Sequence, residues 1–111
     1  MIKLKGNTIY LTKGDTLDLK VNIFDREGNE FVPGEGDSFR FALKKDYNDE
    51  EALIIKDIPA DSLRLRLEST ETKQLAVSLK PYVYDIQATL ADGTVDTFID
   101  RQKMYITEEV E

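Results

Sequence analysis

The run Leu17-Asp18-Leu19-Lys20-Val21-Asn22-Ile23 alternates apolar and polar residues without a break. Successive side chains of an extended strand point to opposite sides, so this run has one face to bury and one to wet. Three further runs repeat the pattern. Phe39, Phe41 and Leu43 interleave with Arg40, Ala42 and Lys44; Leu63, Leu65 and Leu67 interleave with Arg64 and Arg66. Tyr82, Tyr84, Ile86 and Ala88 interleave with Val83, Asp85 and Gln87. Several half-buried strands in one short chain require two sheets packed face to face, or a barrel.

Outward from these runs, the punctuation is that of strands and turns. Residues 2–11 hold Ile2, Leu4, Ile9 and Leu11 around Gly6-Asn7, which predicts a first strand with a glycine kink or bulge. Lys13-Gly14-Asp15 is a turn, and the second strand covers residues 16–24. A turn at residues 25–29, containing Gly28-Asn29, precedes a short edge piece at Phe31 and Val32. Pro33-Gly34-Glu35-Gly36 is a loop, and the third strand covers residues 37–44. After an acidic stretch at 45–51, a short fourth strand spans 53–56 and is stopped by Asp57-Ile58-Pro59. The fifth strand spans 62–67. Ser69 or Thr70 is placed to cap one helical turn running through Gln74. The sixth strand covers 82–90, and Asp92-Gly93 marks a hairpin into the last strand, residues 95–107. That strand is too long to be regular throughout. A bulge or sheet switch is expected at Asp100-Arg101-Gln102, with Met104 and Ile106 resuming the apolar face.

The prediction is an all-β fold: an immunoglobulin-like β-sandwich of about seven antiparallel strands in two sheets, with one short helical turn before the sixth strand. Residues 1–111 form one domain. The sequence has no Cys and no Trp, so any likeness to an antibody domain is one of layout only. A chain of 111 residues buries roughly 65% of its unfolded surface, enough for a core without disulfide staples. No signal peptide and no stretch long enough to cross a bilayer is visible, so a soluble, cytoplasmic origin is expected. The net charge of −7, from 22 acidic and 15 basic residues, repels nucleic-acid phosphates and anionic membranes. Neither is an expected partner.

The chemistry open to this chain is narrow. Without His and Cys, Ser-His and Cys-His catalysis and the usual zinc sites are excluded. A carboxylate pair or a lysine of lowered pKa remains, but a small sandwich leaves little room for a cleft, and no enzyme activity is expected. No catalytic, cofactor or metal residue is assigned. The sharpest ligand candidate is Asp46-Tyr47-Asn48-Asp49-Glu50-Glu51, oxygen-rich as calcium requires. It lacks a glycine at the sixth position, and Asp57 stands where a twelfth-position glutamate belongs, so a solvated loop is the simpler account. Asp15, Asp18, Asp37, Asp92, Asp96 and Asp100 read as turn and surface acids. Tyr10, Tyr47, Tyr82, Tyr84 and Tyr105 are candidates for a sugar-binding platform. Tyr82 and Tyr84, however, share the expected core face and suit burial with their hydroxyls on backbone groups. Arg64 and Arg66 share an outward face, where they pair with neighbouring acids or dock an acidic partner.

Several strings carry a family likeness. They are Asn7-Thr8-Ile9-Tyr10 leading into Lys13-Gly14-Asp15-Thr16, and Gly36-Asp37-Ser38-Phe39-Arg40-Phe41-Ala42-Leu43-Lys44-Lys45. Tyr82-Val83-Tyr84-Asp85-Ile86-Gln87 and Asp92-Gly93-Thr94-Val95-Asp96-Thr97-Phe98-Ile99 complete the set. Over nearly its whole length the chain resembles small structural proteins of phages and prophages of Gram-positive bacteria, and the N-terminal sandwich domain of the phage baseplate upper protein. The resemblance implies a non-catalytic building block of a tail or baseplate. Its partners would be other phage structural proteins, with a homo-oligomer compatible. Its location would be the virion, or the bacterial cytoplasm before assembly. In the baseplate upper protein a longer segment follows the sandwich, whereas this sequence stops at Thr107-Glu108-Glu109-Val110-Glu111. A free-standing assembly module, or a partner on a separate chain, is therefore expected. The shared strings are strand and turn motifs, so no functional residue transfers. Sandwich edges with unpaired backbone groups are the natural docking sites, the first strand and the end of the last strand foremost. A carbohydrate- or calcium-binding module on the same fold is the rival expectation.

Overall fold

The period-two runs fold as strands over most of their length in the computed structural model, which describes residues 2–5, 7–24, 27–77 and 80–108. The strand expected over 16–24 is regular only at 17–20, and the edge piece expected at Phe31 and Val32 is reduced to a single bridge between Phe24 and Glu30. In chain order the strands are β1 (Ile2–Lys5), β2 (Thr8–Thr12), β3 (Leu17–Lys20), β4 (Ser38–Lys44), β5 (Ile54–Ile58), β6 (Arg64–Leu67), β7 (Tyr82–Thr89) and β8 (Val95–Thr107). One helical turn, α1 (Ser69–Thr72), precedes β7. A six-stranded sheet runs in the order β1-β2-β8-β7-β4-β5, and a two-stranded sheet pairs β3 with β6. The two layers share one apolar core. Leu17, Val21, Ile23, Leu65 and Leu67 from the small layer meet Phe39, Phe41, Leu43, Ile86, Met104 and Ile106 from the large one. The expected all-β sandwich with a short helix before the β7 strand is therefore the observed fold.

Its details depart from the sequence expectation at the ends. Residues 2–11 form two strands and not one kinked strand. β1 folds back on β2 antiparallel, with Ile2 opposite Leu11 and Lys5 opposite Thr8. Two residues between facing strand partners are what a tight hairpin requires, and Gly-Asn is a turn pair that suits it. Gly6 itself, Asp25 in the next predicted turn, the Asp100 side chain and residues 109–111 lie outside what is described. The reversal also changes the pairing sense. β2 runs parallel to the end of β8, Ile9 opposite Met104 and Leu11 opposite Ile106, and Lys13 N–H extends the ladder to the Thr107 carbonyl at 2.9 Å. Among the described residues the strand count is thus eight, and one pairing is parallel.

The break expected in β8 is present. Tyr84 pairs with Gln102 and Ile86 with Ile99, so β8 carries an extra residue there, and Arg101 adopts φ +54°. A second shift follows at once, Ile86 pairing with Ile99 but Gln87 with Thr97, and this one slips the alternation so that the consecutive residues Phe98 and Ile99 both pack against the core. β6 starts at Arg64 and not at residue 62. Leu63 sits at φ +52°, a left-handed conformation no strand can continue through, and its N–H closes a turn on the Pro59 carbonyl at 2.8 Å. β5 runs to Ile58, beyond the expected stop at 57, because the strand ends only at Pro59.

Glu68, not Ser69 or Thr70, caps α1. Its side chain and that of Glu71 form a reciprocal capping box. Ser69 and Thr72 serve instead as anchors: their hydroxyls donate to the carbonyls of Gly14 and Asp15, each at 2.7 Å. These bonds tie the helical turn to the loop leading into β3.

Candidate functional site

Each sequence candidate other than Asp100 has a definite place. In the acidic loop, the Asp46 carboxylate accepts from Lys80 Nζ at 2.8 Å and from Asn48 N–H at 3.3 Å. Asp46 N–H donates to Asp49 Oδ2 at 3.1 Å. The Lys80 ammonium, ahead of the backbone donors, holds the Asp46 carboxyl below its ordinary range. Asp46 therefore faces a cation that this chain supplies. Among the described residues no three acids stand together as a metal-holding group.

The outward arginines of β6 are neutralised where they stand. Arg64 Nε donates to Asp18 Oδ1 at 3.0 Å, and Arg66 bonds Asp18 Oδ2 at 3.3 Å and Glu68 Oε1 at 2.8 Å. Asp18 is the cross-strand partner of Arg66, so the pairing follows from the antiparallel register. The remaining acids mostly shape loops. Asp37 accepts from the N–H groups of Gly34 at 2.8 Å and Ala91 at 3.0 Å, joining two loops. Asp92 accepts from Thr94 N–H at 2.8 Å inside the β7–β8 hairpin, and that bond holds its carboxyl below its ordinary range.

The tyrosines divide into three sets, one buried and two outward. Tyr82 and Tyr84 are buried, as their face predicts. Tyr82 donates to the Ala76 carbonyl at 2.9 Å, the contact that in sandwich folds locks the chain entering this strand. Tyr84 donates to the Asn7 carbonyl, and burial pushes its hydroxyl up to about 12. Tyr10 and Tyr105 face outward as register partners, their rings stacked at 5.0 Å and 7°. Tyr47 lies under the Arg101 guanidinium, 4.3 Å from its centroid. The two outward sets spend ring faces on this chain's own groups and are not brought together as one platform.

One feature left no mark in the sequence. Among the described residues β3 has a single strand neighbour, β6, and a groove of ≈ 350 Å³ opens beside it. Ile9, Val21, Ile23, Ile86, Phe98 and Ile99 are among the residues that line it. A second hollow of ≈ 640 Å³ adjoins it, with Phe24 and Phe98 lining both; Glu27 and Asp96 are among its described lining residues. Phe24 is 56% exposed. Of the expected edges the first strand holds: β1 and β5 bound the large sheet, whereas β8 lies between β2 and β7 in the strand order, its end at 104–107 paired with β2. The open edge over an apolar groove belongs to β3.

Among the described residues no helix is long and apolar enough to cross a membrane. No family model matches this sequence, and neither a curated protein nor a solved structure matches it.

Proposed function

We propose that this chain is a non-catalytic assembly module of a phage or prophage tail or baseplate, binding other virion proteins. The observation that carries the reading is the open edge of β3 above its apolar groove. An unpaired row of backbone donors and acceptors beside exposed apolar surface is a template for another polypeptide. The charged and aromatic candidates support it from the other side. Asp46, Asp18, Arg64, Arg66 and the tyrosines are all engaged in bonds or stacks within the chain. The resemblance of the strand and turn strings to phage structural proteins supplies the biological setting.

The test is composition. Phage particles induced from the bacterium that encodes the chain are purified by density gradient and digested for mass spectrometry. The chain co-purifies with tail proteins in a fixed ratio, and tail or baseplate genes flank its gene. Particles of full infectivity that lack the chain overturn the reading.

A further inference from the structure

We propose that Lys56 guards the β5 edge: its charge, turned to the inner face and held by Glu71, keeps β5 from pairing with the β5 strand of a second copy. The inference goes beyond the assembly reading and does not depend on it.

β5 is the strand that most needs such a device. It bounds the large sheet, and among the described residues no strand lies beyond it. Ile54, Ile55 and Ile58 make it apolar, with Leu53 just ahead of it. Ile55 and Leu53 are 57% and 54% exposed. An apolar, β-branched edge is a template on which another chain adds a strand.

The register shows which backbone groups this edge offers. In an antiparallel pair, alternate residues direct their N–H and C=O groups to opposite sides. The Leu43 carbonyl accepts from Leu53 N–H at 2.7 Å, so the odd residues of β4 face β5. A second bond agrees. Leu90 N–H donates to the Thr94 carbonyl at 2.8 Å, which turns the even residues of β7 to β8 and its odd ones to the even residues of β4. Phe39, Phe41 and Leu43 therefore bond Ile58, Lys56 and Ile54, their register partners. Ile55 and Asp57 are left facing the open side. Two copies pairing antiparallel through this edge must oppose these residues to each other. Setting Ile55 against Asp57 brings the two Lys56 side chains directly across from one another. Setting like against like puts Lys56 across from Ile54 or Ile58. Each register confronts an inward charge with either its own kind or an apolar side chain.

The side-chain geometry makes that confrontation costly. The register partner of Lys56, Phe41, is fully buried, so Lys56 also points inward. Its ammonium reaches Glu71 Oε1 at 2.9 Å, and both side chains keep part of their contact with water. An added strand sets its own inner-face side chains against this pair and removes that water, a loss the attraction within the pair does not offset. Glu71 is fixed in place. It closes the capping box of α1, which Ser69 and Thr72 tie to the carbonyls of Gly14 and Asp15. Asp57 gives no such protection, because it faces outward across from Arg40, where an added strand leaves it wet.

The test compares the parent chain with Lys56→Met/Glu71→Gln, by sedimentation equilibrium over a concentration series and hydrogen exchange on the same samples. Methionine keeps the unbranched length of lysine, and glutamine at the third helical position still reaches back to the cap. Both charges go while the shape stays. The buffer holds about 1 M sodium chloride, where screening shortens to ~3 Å and net repulsion between copies no longer counts. The double variant associates at least ~10-fold more tightly than the parent, and the Ile55 and Asp57 amides slow as its concentration rises. Lys56→Arg keeps the inward charge and behaves as the parent. Ile55→Pro, added to the double variant, deletes an N–H on the open side, spares the β4 ladder and abolishes the association. If the methionine variant does not fold, Lys56→Gln/Glu71→Gln takes its place, a neutral pair of the same hydrogen-bonding kind.

A neutral variant that folds and associates no more than the parent overturns the proposal. So does association that slows amides of β1 or β3 and leaves Ile55 and Asp57 unchanged. Association of Lys56→Arg as strong as that of the neutral variant overturns it too, as does a parent chain that already pairs through β5.

Discussion

The Tyr84 hydroxyl donates a hydrogen bond to the Asn7 carbonyl, joining the inner face of β7 to the turn between β1 and β2. The bond closes one end of the sandwich beside the groove, which both residues line. Burial pushes this phenol from its ordinary 10.0 to about 12. The protonated form is thus favoured by folding. The stabilisation is complete below pH 10 and is lost as the pH rises from about 10 through about 12. Tyr84→Phe costs about 1 kcal/mol at neutral pH and flattens the alkaline part of the stability curve. Urea melts at pH 7 and between pH 9.5 and 11.5 check both effects; an unchanged alkaline slope refutes the assignment.

Leu65 and Arg64 are neighbours in sequence on opposite faces of β6. Leu65 is 1% exposed, whereas Arg64 is exposed and bonded to Asp18. Leu65→Asp puts an unpaired carboxylate in the core and prevents folding. Arg64→Asp sets two carboxylates side by side in water, and the protein stays folded with a small loss. Circular dichroism and one-dimensional proton spectra of the two variants read the outcome.

Gly36 and Gly93 share nearly the same backbone, φ +87° and +90°, and differ in their surroundings. An added Cβ at Gly93 meets nothing within 4 Å, but at Gly36 it comes 3.0 Å from the Ala91 Cβ. Gly93→Ala costs about 1 kcal/mol through conformational strain. Gly36→Ala costs more, because the loop that Asp37 ties to Ala91 must also shift. Denaturant midpoints rank the two.

Calcium is tested at Asp46. Its carboxylate already accepts the Lys80 ammonium, so millimolar calcium leaves the melting temperature unchanged. Lys80→Gln removes the internal cation; a calcium-dependent rise in melting temperature in that variant alone would identify the loop as a masked site.

Much of the fold was legible because period two fixes which side chains go inward. The third and sixth predicted strands differ from β4 and β7 by one residue at one end each. Asp92-Gly93 made the hairpin it signalled, with Gly93 N–H on the Leu90 carbonyl at 2.8 Å. The β1–β2 hairpin was missed because Ile2 and Leu4 shift phase against Ile9 and Leu11 across Gly6-Asn7. A bulge and a reversal shift the phase alike. Parallel pairing was missed since alternation looks the same whichever way the neighbour runs. The open edge of β3 escaped notice for a related reason. Asp18, Lys20 and Asn22 look like any outward strand residues, and a missing neighbour is recorded in no residue of the strand that lacks it.

The β2–β8 ladder gives the chain a late-closing seam. Thr107 reaches back to the Leu11 carbonyl, a separation of 96 residues, so a nascent chain cannot zip the middle of its large sheet until the final strand has been synthesised. Until then β2 and β7 are bare on the sides β8 will fill, and long-range closure of this kind is slow. A ribosome pausing before residue 104 therefore holds the molecule at its stickiest moment, when a chaperone or an assembly partner has the most to grip.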